Sequence, residues 1–138
     1  MVGFAGETQA EFEKSLEFVK EMQFLKVHVF PYSVRKGTRA EKFENQIAPD
    51  IKKARAHIMS EANDKIRQEL LNTKIGQITE ILIEGKQRNG MFMGYTADYI
   101  PIYLKECTVP CGEIVSVCIE DIFEDGCIAK ITLEDLNQ

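Results

Sequence analysis

The stretch SVRKGTRAEK gathers four cations, Arg35, Lys36, Arg39 and Lys42, around Gly37. An arginine guanidinium offers a planar fork that grips a phosphate or carboxylate through two hydrogen bonds. The same composition also suits a solvated charged loop. Near the start, GFAGE sets Gly3 and Gly6 immediately before a helix start. Glycines at a strand end let a ligand approach the backbone closely, at the position where α/β folds place their sites. No Lys-Ser/Thr pair follows, so this is no Walker loop, and dinucleotide spacing is absent too. On chemistry alone a plain strand-to-helix turn is favoured. Glu7 and Glu11 lie close together, but helix capping and the field at a helix N-terminus account for both.

The other reactive types are sparse. Cys107, Cys111, Cys118 and Cys127 all fall in the last third, with a spacing that matches neither a zinc ribbon nor a three-cysteine iron–sulfur loop. Cys118 and Cys127 read as small strand residues, and Cys107 with Cys111 as a weak metal or redox pair. His28 shares a strand face with Lys26 and Phe30 and has no partner visible in the sequence. Tyr99 and Tyr103 alternate with Ile100, Ile102 and Leu104, which leaves both rings on the face opposite the isoleucines, where bases could stack. Lys74, Lys86, Arg88 and Lys105 are the cations nearest to them. No Ser/His/Asp or Cys/His set emerges.

The 138 residues are 44% apolar and 28% charged, ordinary for a globular protein, and no apolar run is long enough to cross a bilayer. No signal peptide is seen, so a cytoplasmic location is expected. Residues 1–71 hold 12 basic and 11 acidic side chains, and residues 72–138 hold 5 and 11. A balance of −6 in the second half speaks against binding nucleic acid by phosphate neutralisation there.

These residues need elements to position them. Thr8 with Glu11 forms a capping box for an amphipathic helix ending near Gln23, with Phe12, Leu16 and Val19 on one face. FLKVHVFPYS then predicts a short strand, Leu25, Val27 and Val29 alternating with Lys26, His28 and Phe30 and stopped by Pro31. Turn, helix and strand are the second half of a βαβ unit, which implies a piece of a larger parallel α/β body. A long helix follows from Pro49 to about Asn72, and its step-of-four stripe Ala54, Ile58, Ala62, Ile66 and Leu70 should wind around the axis, as suits a connector. From Lys74 the period changes to two. Five short strands, with a hairpin at Glu124-Asp125-Gly126 and a turn at Asn89-Gly90, predict an antiparallel barrel of the oligonucleotide-binding type. Pro101 predicts that its strand lies at an edge. The expected class is α+β, divided as 1–48, the connector 49–73 and the barrel 74–138.

VGFAGET followed by FEKSLEFVKEMQFLKVHVFPYSVRKGTRA resembles the end of the radical S-adenosylmethionine domain of tRNA methylthiotransferases, most of all the branch acting on threonylcarbamoyladenosine. The run Tyr32, Ser33, Arg35, Gly37 and Thr38 is its most specific part. The remainder, from GQITEILIEG to CIAKITL, is similar to the TRAM domain that closes those enzymes.

The resemblance implies that Gly3, Gly6 and Glu7 lie near the adenine of S-adenosylmethionine. Val29, Phe30, Pro31 and Tyr32 would line the same pocket, and the loop with Ser33, Arg35 and Thr38 would face substrate. Ala5 and Lys36 stand where the family usually has proline, which loosens two rigid turns. It further implies a tRNA anticodon arm as partner, with Lys74, Lys86, Arg88, Tyr99 and Tyr103 as RNA contacts. The family's 4Fe-4S clusters are held by a Cys-x-x-x-Cys-x-x-Cys loop and an N-terminal domain that this sequence does not contain. The expectation is therefore a C-terminal part of such an enzyme, inactive alone and without a cluster after reconstitution with iron and sulfide. A non-catalytic RNA-binding module is the alternative, and self-association through an apolar barrel edge a third reading.

Overall fold

The structure is a computed structural model that describes residues 1–87 and 90–132. It comprises two compact units, residues 1–68 and 69–138.

In the first unit, helix α1 spans Gln9–Met22. Its start is the predicted capping box: Glu11 N–H donates to Thr8 Oγ1 at 3.2 Å, and Thr8 N–H donates to Glu11 Oε2 at 2.8 Å. Phe12 and Val19, seven residues and about two turns apart, are buried together on one face. Gln23 closes the helix in the left-handed conformation at φ 51°. Residues 25–30 then run extended with the predicted alternation, 25, 27 and 29 half-buried and 26, 28 and 30 exposed. They do not form a strand. Pairing is reduced to one parallel bridge, Val2 to Pro31, in which Val2 N–H donates to Phe30 O at 2.9 Å and Tyr32 N–H to Val2 O at 2.8 Å. A ladder needs a neighbouring strand of comparable length, and here Val2 is the whole of it.

Helix α2 spans Pro49–Asn72. The winding step-of-four stripe is corrected by the structure: Ala54 and Ile58 are exposed, and within the stripe only Ile66 is buried. The buried stripe is Arg55, Met59, Asn63 and Ile66. Eleven residues make just over three whole turns, so these four share one face, while Leu71, also fully buried, lies off it. The sequence pattern hid it because two of its four members are polar.

The second unit is a closed barrel of five strands, β1 (Ile78–Lys86), β2 (Phe92–Thr96), β3 (Pro101–Leu104), β4 (Ile114–Phe123) and β5 (Gly126–Ile131), in the order β1-β2-β3-β5-β4. Ile81, Ile83, Ile102, Leu104, Val115, Val117 and Ile119 fill it, each no more than 2% exposed. Two expectations change. The barrel is not wholly antiparallel, because β3 and β5 run parallel. Nor does β3 lie at an edge, since it pairs β2 on one side and β5 on the other. Pro101 is tolerated as the first residue of the strand. The two-residue hairpin at Glu124 and Asp125 is present, with Phe123 opposite Gly126. Bulges between Ile83 and Gly85 and between Ile119 and Asp121 bend the two long strands around the barrel. Among the described residues, no helix is long and apolar enough to cross a membrane.

Candidate functional site

The glycine turn of the first unit is held from below by α2. Gly3 and Gly6 adopt φ 72° and 83°, which other residues reach only with strain. Glu7 Oε1 accepts from Gly3 N–H at 2.9 Å and from Arg55 Nη1 at 2.6 Å, and the same Arg55 nitrogen donates to Glu7 O at 3.1 Å. Arg55 also lies over the Phe12 ring, 5.4 Å from its centre. A side chain at Gly3 would collide with Lys52 Cγ at 2.5 Å, so the close approach this glycine permits is that of α2. Gly6 opens to free space, and its N–H donates to Asn45 O at 2.9 Å.

A cavity of about 430 Å³ lies beside this turn. Phe30, Pro31, Tyr32, Ser33, Arg35 and Thr38 line it, six of the residues singled out in the sequence. The Tyr32 ring is fixed edge-on by Phe4 at 4.9 Å and capped by Lys52 Nζ at 5.0 Å, and Lys52 Nζ also donates to Tyr32 O at 3.1 Å. Tyr32 OH is buried with no hydrogen-bond partner among the described residues. Such an atom asks for a partner, since an unsatisfied buried hydroxyl costs about 1–3 kcal/mol. Aromatic walls with a few convergent polar groups are the make-up of small-molecule sites. Gly3, Gly6, Glu7 and Val29 do not line this cavity. Val29 faces a second groove of about 410 Å³ with Phe18, Val19, Val27, His28 and Met59.

In the barrel the predicted contacts separate. Tyr99 is 80% exposed on the β2–β3 turn, whereas Tyr103 is 7% exposed. Tyr103 does point away from the interior that Ile102 and Leu104 fill, but Phe123 packs on it at 5.1 Å and its OH donates to Asp125 Oδ1 at 2.9 Å. It therefore offers no open ring for stacking. Burial first, and the Asp125 carboxylate second, push its phenol above the usual range. Lys74 is engaged by Asp98 at 3.2 Å, and Lys86 lies over Phe92, 5.5 Å from the ring centre. Arg88 lies outside the described residues.

The four cysteines are free thiols within residues 107–127. Cys127 is fully buried, Cys111 Sγ donates to Glu84 O and Cys107 Sγ to Val109 O. Among the described residues, no three His, Cys, Asp or Glu side chains converge as a metal site.

The sequence reading passed over Lys52, Arg55 and Asn63, which organise the first unit, and Asp98 with Thr96, which organise the β2–β3 turn. The eleven-residue spacing of Arg55 and Ile66, with Met59 and Asn63 between them, was the available signal.

No protein-family model matches the chain. It is 36% identical over 123 residues to the threonylcarbamoyladenosine tRNA methylthiotransferase of Bacillus subtilis, covering 86% of this chain and 27% of that protein. It is 31% identical over 132 residues to the enzyme of the same name from Chlamydia pneumoniae, covering 95% and 31%. Similarity extends to the tRNA-2-methylthio-N(6)-dimethylallyladenosine synthase of Acetivibrio thermocellus, 32% identical over 124 residues, 88% of this chain and 26% of that one. The chain spans under a third of the length of these curated relatives.

Proposed function

We propose, on the premise that the chain is homologous to part of the tRNA methylthiotransferases, that residues 1–68 supply the closing wall of an S-adenosylmethionine pocket and residues 69–138 an RNA-contacting barrel of the TRAM type. The observation that carries this is the 430 Å³ cavity. Phe30, Pro31 and Tyr32 would hold a flat heteroaromatic ring. Arg35 would draw in an anionic group, with Ser33 and Thr38 as neutral donors. S-Adenosylmethionine supplies the sulfonium chemistry in such a reaction, and this chain's share is binding and orientation.

Further support comes from the surface of the first unit. Phe18, Met22, Phe30, Val34 and Phe43, large apolar side chains, are each 46–64% exposed. A surface of this kind suits packing on further protein. The relatives' names specify two modified adenosines, threonylcarbamoyladenosine and N(6)-dimethylallyladenosine, and methylthio transfer to one of these is the reaction that the pocket would serve.

The test is a graft of residues 1–138 in place of the matching segment of the Bacillus subtilis relative. Methylthiolation of tRNA is expected to be retained. Tyr32→Ala and Arg35→Ala in the graft should raise the KM for S-adenosylmethionine about tenfold or more, the scale of one lost charged or buried hydrogen bond. Unchanged kinetics in both variants would refute the pocket. Reading the chain as an RNA-binding module without chemistry is favoured instead if the graft is inactive while the chain alone binds anticodon-arm RNA.

A further inference from the structure

The β2–β3 turn of the barrel is built around one side chain. Tyr99 sits at φ 61°, a left-handed conformation that is costly for a bulky residue, and its ring is 80% exposed. Strain of this kind persists only where the surroundings hold it, and here they do. Thr96 is 6% exposed; its N–H donates to Ile100 O at 3.2 Å, and its Oγ1 accepts from Ile100 N–H at 2.9 Å. The Thr96 hydroxyl donates to Asp98 Oδ1 at 2.6 Å, and Tyr99 N–H donates to Thr96 O at 3.0 Å. Ile100 anchors the turn's far end at 2% exposure. The last brace comes from outside the turn: Lys74 Nζ binds Asp98 Oδ2 at 3.2 Å.

The ring that is held out has apolar company. Tyr95 lies 6.3 Å from it, centre to centre, at 51°. Leu82 stands beside Tyr95 in the ladder and Ile114 beside Leu82, 44% and 65% exposed. Glu80 and Glu84, exposed on either side of Leu82 along β1, keep phosphate away from this row. A flat apolar group carried on a backbone that stays clear of the acids would fit, and an unpaired nucleobase is such a group.

Resting on the RNA reading above, we infer that the β2–β3 turn is a preformed stacking platform for one unpaired base. Tyr99 is the contacting ring, and Lys74, Asp98 and Thr96 are positioning residues that do not touch the RNA. Lys74 thereby changes role from the RNA contact expected from sequence. Tyr103, under Phe123 and Asp125, takes no part.

The two roles for Lys74 predict opposite results. If Lys74 met phosphate, Asp98 would compete with the RNA, so Asp98→Ala would tighten binding. Lys74→Ala would also flatten the dependence of log affinity on log salt by about 0.7, the share of one phosphate on a single strand. If Lys74 positions Tyr99, Asp98→Ala and Lys74→Ala each weaken binding, do not add in the double variant, and leave the salt slope unchanged. Lys74→Arg should restore affinity.

The experiment titrates the full chain into an anticodon-type hairpin RNA carrying 2-aminopurine in its loop, following fluorescence at several salt concentrations. Tyr99→Ala is expected to weaken binding about tenfold, within the range of one lost base stack, and Tyr99→Phe to leave it unchanged. Circular dichroism of each variant confirms that the barrel is intact. Wild-type binding with no effect of Tyr99→Ala, or tighter binding by Asp98→Ala, overturns the platform and leaves the RNA reading standing. No wild-type binding at low salt overturns both. A dimer in sedimentation that Leu82→Ser dissolves overturns the platform alone, because the row would then be the seat of a second copy.

Discussion

Asn63 and Val27 are 36 residues apart in sequence, and the side chain of one completes the backbone of the other. Asn63 Oδ1 accepts from Val27 N–H at 2.8 Å, and its Nδ2 donates to Phe24 O at 2.7 Å. With Asn63 only 3% exposed, a helix side chain takes the place of a neighbouring strand for an extended segment that has almost none. Two backbone groups depend on one amide. Asn63→Leu should destabilise the first unit by about 2 kcal/mol, since unmet buried polar groups cost about 1–3 kcal/mol each and partial exposure relieves some of that. Amide hydrogen exchange read residue by residue checks it: Val27 should lose protection while the barrel amides keep theirs. Asn63→Asp should retain the Val27 acceptor and lose the donor to Phe24.

Arg55 and Glu7 form a pair with side chains 8% and 15% exposed, and the same carboxylate oxygen holds Gly3 N–H. Removing one member of a buried pair strands the other. Arg55→Ala is expected to cost about 3 kcal/mol in urea unfolding, and Glu7→Gln less, because its amide oxygen can still accept from Gly3 and Arg55. Equal, small losses in both would show that the pair contributes little to the turn.

At Gly126 an added Cβ would lie 2.0 Å from Pro101 O, and at Gly94 2.4 Å from Leu82 O. Both contacts are backbone, which cannot swing aside as a side chain can. Gly126→Ala should open the β3–β5 seam that closes the barrel and abolish cooperative unfolding of the second unit. Gly90→Ala is the control: nothing lies within 4 Å there, so the cost is only that of its φ of 87°. Thermal melts of the two variants make the comparison.

Tyr103 gives the barrel an alkaline limit. Burial and the Asp125 bond raise its phenol in the folded state, so the unfolded chain releases that proton first. The contribution is whole below the ordinary tyrosine value of about 10 and is lost as pH rises above it. Urea midpoints should fall between about pH 9 and 11. Tyr103→Phe should fall less steeply over that window, though it begins lower for want of the bond to Asp125. Identical slopes would remove Tyr103 as the cause.

Much of this protein was legible because it rests on local chemistry. The Thr8 and Glu11 box, the half-buried alternation of Leu25, Val27 and Val29, the five period-two segments and the Glu124-Asp125 hairpin all follow from neighbours within a few residues. The run from Phe30 to Thr38 was singled out by its resemblance to a family motif, with only its arginines marked by residue type, and six of its members line one cavity. Long-range partners were not legible. Whether β3 was an edge depended on β5 returning beside it, and whether Tyr103 was open depended on Phe123 and Asp125 folding over it. Arg55, Asn63 and Asp98 looked like ordinary surface polar residues and Lys74 like an RNA contact, since their roles lie in groups up to 48 residues away. Sequence by itself determined which segments are helical or extended and which residue types crowd together, because short-range sterics and periodicity decide those. Only tertiary structure decided which polar groups are spent on holding the backbone and which remain for a ligand, because a hydrogen bond is allotted by proximity in space.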